Sequence, residues 1–138
     1  MSDVKITVEE RHDRRCASTG AKWEPIMGYS RAVRSGNTIA VTGTVGINAN
    51  GTYAPTVGEQ TARSLAIIRA SIEALGGQLE HVIRTRVFMT DISQWEHVAR
   101  VHGEVFKDVR PATTLVEVSR LIDPEILVEI EADAIVRS

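Results

Sequence analysis

Alternation of apolar and polar residues marks the strands in the first third of the chain. Residues 4–10 alternate with a period of two, which predicts a strand. Two more strands are predicted over 29–34 and 38–45, because the Ser-Gly-Asn between them tolerates a hairpin turn. The polar run 11–22 between these elements is expected to form a solvated loop.

Apolar residues spaced three and four apart predict two helices. The first begins at Thr56, which has a glutamate three residues later as in a capping box, and it ends at Gly76. The second begins with the same spacing at Ser93 and Glu96 and ends before Pro111. Its buried stripe is expected to hold Trp95, Val98, His102 and Val105 or Phe106.

Three more strands are predicted, over 81–91, 113–121 and 125–136. In the last of them, Ile126, Val128, Ile130, Ala132, Ala134 and Val136 share one face, and acidic residues occupy the other. The order strands, helix, strand, helix, strands predicts an α+β sandwich, with two helices packed on one face of a mainly antiparallel sheet.

The second face of this sheet also carries apolar residues. Along 114–120 both faces hold aliphatic side chains, and Phe88 lies opposite the apolar face of its strand. A strand that is apolar on both sides is usually covered on both sides, and two helices cover only one. We therefore expect a homo-oligomer in which a second copy covers the other face.

Composition narrows the class of protein. The chain has 138 residues, near the usual size of one domain, and its 16 basic and 18 acidic residues give a net charge of −2. This balance provides no overall attraction to nucleic acid or to an anionic membrane. The single cysteine, Cys16, cannot form a disulfide within the chain, and no apolar run approaches transmembrane length. We expect a cytoplasmic protein with neither a membrane nor a nucleic-acid partner.

Few residues suggest chemistry. His97 and His102 are five apart, so they do not share a helix face as paired metal ligands would, and no nucleotide-binding glycine motif occurs. Glu129 stands out because its neighbours are aliphatic. It is either a general base that holds a water, or half of an interface ion pair with Arg84 or Arg86.

Four ordered motifs resemble the Rid family, also called YjgF/YER057c/UK114. They are "GYSRAVRSGNTIAVTGTVG" (28–46), "VIRTRVFMTDISQWEHV" (82–98), "RPATTLVEV" (110–118) and "LVEIEADAIV" (127–136). The resemblance covers about 27–136, so we expect a Rid/YjgF-like domain over 27–138. Residues 1–26 are then an N-terminal extension that can hold an edge strand.

The resemblance implies a chorismate-mutase-like protomer and a homotrimer with its sheets packed into a central barrel. A small metabolite would bind in clefts between subunits. Well-known members hydrolyse enamines and imines such as 2-aminoacrylate to keto acids and ammonia, without cofactor or metal. The family's cleft tyrosine falls on Tyr29, its backbone lining on Thr42 and Gly43, and its water-holding glutamate on Glu129.

One position departs from the deaminating members, which carry an arginine where this chain has Thr113, followed by Thr114. An arginine grips a carboxylate through two parallel hydrogen bonds, whereas threonine offers one neutral hydroxyl. Both threonines are expected to line the cleft, and 2-aminoacrylate deaminase activity is expected to be weak or absent. The alternative for Thr113 is that it begins a strand and has only a packing role, without contact to a ligand.

Three functions remain open on sequence grounds. The first is hydrolysis of an imine or enamine, or of another small substrate, by a water held on Glu129. The second is a non-catalytic, ligand-binding or regulatory trimer. The third, the ribonuclease activity attached to some family members, is disfavoured by the negative net charge and by an aromatic content of only 4%.

Overall fold

Seven strands form one sheet in the computed structural model, which describes residues 3–137. In chain order they are β1 Thr7–Arg11, β2 Arg14–Ser18, β3 Ala32–Ser35, β4 Thr38–Val45, β5 Val82–Met89, β6 Ala112–Glu117 and β7 Val128–Ile135. Their spatial order is β1-β2-β3-β4-β7-β5-β6. Every neighbouring pair is antiparallel except β5 and β6, which run parallel. The mainly antiparallel α+β class is therefore confirmed.

Three α-helices join these strands: α1 Trp23–Met27, α2 Val57–Ala74 and α3 Trp95–Phe106. Helix α2 packs on β4, β7 and α3. Its predicted apolar face is confirmed, because Leu65, Ile68, Ile72 and Leu75 are each at most 2% exposed. Within residues 3–137, no helix is both long enough and apolar enough to cross a membrane.

The core lies between these helices and one face of the sheet. Alternate residues of β7 are buried there, as predicted: Val128, Ile130, Ala132 and Ala134. Thr85, Val87 and Met89 of β5 point to the same side. The residues between them, including Glu129 and Glu131, point to the opposite face and are only partly buried.

The expectation of a loop over 11–22 is wrong, because β2 forms within it. Positive φ angles at His12 (52°) and Asp13 (63°) make a tight turn between β1 and β2. The guanidiniums of Arg15 and Arg34 then each donate to the Leu75 carbonyl at the end of α2. These two arginines supply hydrogen bonds and positive charge to the C-terminal end of α2. The polar residues of β2 are therefore part of the sheet and not of a solvated loop.

Element boundaries differ from the predictions in several other places. The strand predicted over 4–10 runs from Thr7 to Arg11, β3 begins at Ala32, and α1 was not predicted. The strand predicted over 113–121 begins one residue earlier, at Ala112, and ends at Glu117, whereas the strand predicted over 125–136 is shorter at both ends.

The second predicted capping box, at Ser93 and Glu96, is also wrong. The Asp91 carboxylate accepts hydrogen bonds from the Ser93 backbone N–H (3.1 Å) and hydroxyl (2.6 Å). It thereby caps a short 3₁₀ turn, Ile92–Gln94, and α3 follows without a side-chain cap. Trp95 consequently lies at the helix start and is 50% exposed rather than buried.

The box at Thr56 forms in part. The Thr56 hydroxyl accepts a hydrogen bond from the Glu59 N–H, as in a capping box. The Glu59 carboxylate, however, accepts from the Thr56 hydroxyl and not from the Thr56 backbone N–H.

Candidate functional site

Residues from three segments meet beside β4. Tyr29 and Arg31 lie just before β3, Gly43 and Thr44 belong to β4, and Glu129 belongs to β7. The register of β4 against β7 shifts between Val41 and Thr44, and this irregularity contains Gly43. We call Tyr29, Arg31, Gly43, Thr44 and Glu129 the Glu129 half-site.

Gly43 makes room for the Glu129 side chain. A Cβ atom built on Gly43 would lie 2.1 Å from Oε2 of Glu129 and 3.0 Å from its Cδ. The carboxylate therefore rests directly on the Gly43 backbone, in space that any other residue would fill.

Arg31 joins the parts of the half-site. It is only 7% exposed. Its Nη1 donates to the Gly43 carbonyl (2.9 Å) and to the Thr44 hydroxyl (3.1 Å), and its Nη2 donates to the Tyr29 hydroxyl (3.2 Å). Its Nε is the one buried side-chain nitrogen or oxygen in residues 3–137 without a hydrogen-bond partner.

The sequence alone did not place Arg31 beside Tyr29. The signal for its place beside Tyr29 was their separation by two residues, which sets both side chains on one side of an extended segment.

Glu129 is a half-buried carboxylate that forms no ion pair within residues 3–137. Burial raises the pKa of its carboxyl group, the positive charge of Arg31 lowers it, and the negative charge of Glu131 raises it, so that the pKa is raised overall. The alternative ion pair with Arg86 does not form within the chain, because Arg86 Nη1 contacts Glu131 and Asp133, each at 3.1 Å. Burial increases the proton affinity of such a carboxylate, so it can accept a proton from a water.

Thr42 holds the half-site in place. Its hydroxyl donates to the Ser30 carbonyl at 2.6 Å, and its N–H donates to the Arg31 carbonyl at 3.0 Å. These bonds tie the segment that carries Tyr29 and Arg31 to β4. The predicted ligand-lining residues Tyr29, Gly43 and Glu129 are thus brought together, with Thr42 fixing their relative positions.

Thr113 lies elsewhere, in a groove between β6 and α3. A cavity of about 290 Å³ there is lined by Trp95, Val98, His102, Thr113 and Leu115, among others. We call these five residues the Thr113 groove. The Thr113 hydroxyl lies 2.9 Å from the Thr85 hydroxyl, which in turn lies 2.9 Å from Nε2 of His102.

The polar groups of the Thr113 groove are uncharged near neutral pH. Burial lowers the pKa of the His102 imidazole, whose ring also packs on Phe106 with centroids 4.7 Å apart. The Thr113 hydroxyl, besides its contact with Thr85, donates to the Pro111 carbonyl at 3.3 Å. The groove can therefore offer neutral hydrogen bonds and apolar contact, but its five residues supply no cation.

Thr113 and Glu129 point to opposite faces of the sheet. Thr113 pairs with Thr85, which is buried on the helix side, whereas Glu129 pairs with Phe88 on the other side. Thr114, by alternation, shares the face of Glu129 and is exposed. One chain therefore does not bring Thr113 and Glu129 into one pocket.

Comparison with known protein families gives one match over most of the chain. The family model described as Endoribonuclease L-PSP matches residues 19–136. Among solved structures, Rv2704 from Mycobacterium tuberculosis, described as a member of the YjgF/YER057c/UK114 family, superposes with a TM-score of 0.83 at 43% identity. The alignment covers 89% of this chain and 99% of Rv2704.

Two relatives extend the comparison. Uncharacterized protein SCO2049 from Streptomyces coelicolor is 36% identical over 121 residues, which cover 87% of this chain and 90% of the relative. The 2-iminobutanoate/2-iminopropanoate deaminase of Dermatophagoides farinae is 27% identical over 110 residues, covering 78% of this chain and 86% of the mite protein.

Proposed function

Because this chain belongs to the Rid (YjgF/YER057c/UK114) family, we propose that it is a homotrimer that hydrolyses a small imine or enamine in clefts between its subunits. The observation that carries this proposal is the Glu129 carboxylate, half-buried, seated on Gly43 and without a direct counter-ion. The name of the mite relative supports the choice of an imine as the substrate class.

The reaction needs only water and a base. An enamine takes a proton from solvent on carbon, or an imine takes one on nitrogen, to give an iminium. Glu129 accepts a proton from a water while the water oxygen bonds to the iminium carbon, which gives a neutral carbinolamine. The proton held by Glu129 then passes to the nitrogen, the C–N bond breaks to release ammonia, and the hydroxyl loses its proton to solvent as the C=O bond forms. A ketone and ammonia are the products, and no oxidant or reductant is consumed.

The two faces of the sheet support a cleft between subunits. The Glu129 half-site and the Thr113 groove open on opposite sides of one chain, so they can wall one cleft only if different chains supply them. In the proposed trimer, the groove of one subunit faces the Glu129 half-site of its neighbour. A light-scattering mass of three chains is expected, and a single-chain mass would exclude this cleft.

Within this function we propose that 2-aminoacrylate is a poor substrate. Thr113 replaces the arginine of the deaminating members, and a charge-assisted hydrogen bond contributes about 1.5–3 kcal/mol. Loss of one such bond corresponds to roughly tenfold to a few hundredfold weaker binding.

The test is imine hydrolysis measured as keto-acid formation, with a lyase that releases 2-aminoacrylate and with larger imines made from other amino acids. Glu129→Gln should lower the rate by about a hundredfold or more, the usual contribution of a general base. Glu131→Gln is the matched control, because Glu131 lies in the same strand but bonds to Arg86. Equal rates for both variants would refute the role of Glu129. Ligand binding without hydrolysis of any imine would favour the non-catalytic trimer.

We further propose that residues 27–138 form the Rid domain, that residues 1–26 are an extension, and that the protein works in the cytoplasm. The family match over residues 19–136 supports a Rid domain, although it begins eight residues before the proposed boundary, and the single buried cysteine, Cys16, supports the cytoplasm.

A further inference from the structure

The Glu129 half-site contains a positive charge that no carboxylate neutralises directly. The ion pairs formed within residues 3–137 do not include Arg31, and its bonded partners are a carbonyl and two hydroxyls. Glu129 acts on this guanidinium only through space, so no ion-pair contact offsets the free-energy cost of its burial or of its unpartnered Nε. A buried group with such a cost calls for an explanation, and a functional role of the Arg31 charge is one.

The hydrogen bond between Arg31 and Tyr29 fixes the polarity of the tyrosine. A guanidinium carries five N–H donors and no acceptor, so the Tyr29 oxygen accepts at this contact. The O–H of Tyr29 must then point elsewhere, and it is available to donate to a ligand. The ring of Tyr29 also lies 5.5 Å from the guanidinium carbon, which keeps the charge close to the phenol.

The half-site therefore presents two complementary groups to a ligand. The Tyr29 hydroxyl can donate a hydrogen bond to the ligand while its oxygen accepts one from the positively charged Arg31. The Glu129 carboxylate can accept a proton from a water or an amine. A ligand that fits both groups carries a negatively charged acceptor next to the carbon that the water attacks. A carboxylate beside a C=N or C=O group has this form.

We propose that Arg31, acting through the Tyr29 hydroxyl, selects ligands with a carboxylate and so supplies part of the positive charge that position 113 lacks. Arg31 is a positioning residue in this scheme, because Tyr29 makes the contact with the ligand. The inference rests on the proposed function only for the identity of the cleft, since it concerns binding and not turnover.

The test compares two ligands that differ in charge and little in shape, pyruvate and its neutral amide, pyruvamide. Each is titrated by NMR or calorimetry onto the full-length protein. We expect the native protein to bind pyruvate at least about tenfold more tightly, the factor of one charge-assisted hydrogen bond. In Arg31→Gln this preference should disappear, so that the ratio of the two affinities falls to about one, and Arg31→Lys should restore part of the preference.

Two variants separate this role from a structural one. Arg34→Gln makes the same change three residues later, where the guanidinium bonds to Leu75 at the end of α2, and it should keep the preference for pyruvate. Tyr29→Phe should lose the preference for pyruvate. Adding Arg31→Gln to Tyr29→Phe should not weaken pyruvate binding further, because the two residues act as one unit.

An equal affinity of the native protein for pyruvate and pyruvamide would overturn the inference, and so would a preference that survives in Arg31→Gln. If Arg31→Gln does not fold, a preference retained in Tyr29→Phe would overturn it and its loss there would support it. The proposed function fails separately, if Glu129→Gln hydrolyses imines at the native rate, and that result leaves the ligand comparison valid.

Discussion

Replacement of Gly43 by alanine should separate the position of Glu129 from the stability of the fold. The added Cβ would lie 2.1 Å from Oε2 of Glu129, and ordinary van der Waals contact begins at 3.4 Å. The carboxylate must therefore retreat by about 1.3 Å. It is the far end of a flexible side chain, so it can move without displacing the backbone.

The size of each effect follows from this geometry. A misplacement of about 1 Å of a catalytic group costs on the order of a hundredfold in rate. Stability should change little, because Gly43 does not have a positive φ. Alanine in a strand also gains about 0.5–1 kcal/mol over glycine, which offsets the strain of moving Glu129.

The assay measures both quantities on the same protein. Urea unfolding should give a free energy of unfolding for Gly43→Ala within about 1 kcal/mol of the native value. Imine hydrolysis should fall by about a hundredfold, and adding Gly43→Ala to Glu129→Gln should cost nothing further, because both changes remove one function.

Native activity in a folded Gly43→Ala protein would refute the reasoning, since it would mean that the position of the carboxylate does not matter to the reaction. A further loss in the double variant would show that Gly43 acts independently of Glu129.

Three other outcomes test neighbouring points. Gly46→Ala places a Cβ 2.2 Å from the backbone oxygen of Gln60, and a backbone atom cannot move aside as a side chain can. Urea unfolding should therefore show a free energy of unfolding lower by about 1–3 kcal/mol or more. Thr113→Arg should speed 2-aminoacrylate hydrolysis by about tenfold or more, and no gain would mean that the opposing half-site has diverged as well. The raised pKa of Glu129 places the acidic limb of the rate profile above pH 4.5. Because the folded state then binds this proton more tightly, the contribution of protonated Glu129 to stability is full below pH 4.5 and is lost as pH rises through the folded pKa. Glu129→Gln should therefore gain stability over the native protein as pH rises through that range, and a constant difference across pH would contradict the assignment.

Hydrophobic periodicity predicted the elements whose burial depends on one regular face. The stripe on α2 and the alternation in β7 were both identified from their apolar residues, although the buried side of α2 also holds the polar residues Gln60, Thr61, Ser64 and Ser71. Strand β2 was not, because Arg15 looks like a solvated residue until the end of α2 is placed beside it. The start of α3 was misplaced because Asp91 and Ser93 are both suitable capping residues, and sequence does not show which one is bonded.

The site was predictable as a set of residues but not as a geometry. The motifs identify Tyr29, Gly43 and Glu129, whose roles stay predictions. The contacts of Arg31 depend on the irregular register of β4 against β7, which has no signature in the sequence. The face occupied by Thr113 depends on its parallel register with β5, which residue alternation within a single strand does not determine.

The placement of Thr113 and Glu129 on opposite faces has a genetic consequence. In the proposed trimer each cleft takes one wall from each of two chains, so a chain altered at Glu129 disables a cleft to which its neighbour contributes an intact groove. Expressed beside the native one, such an allele lowers activity only in proportion to its share of the chains, because each native chain still completes one cleft. Two alleles damaged on different faces complement each other in part, because mixed assemblies contain some clefts with two sound walls.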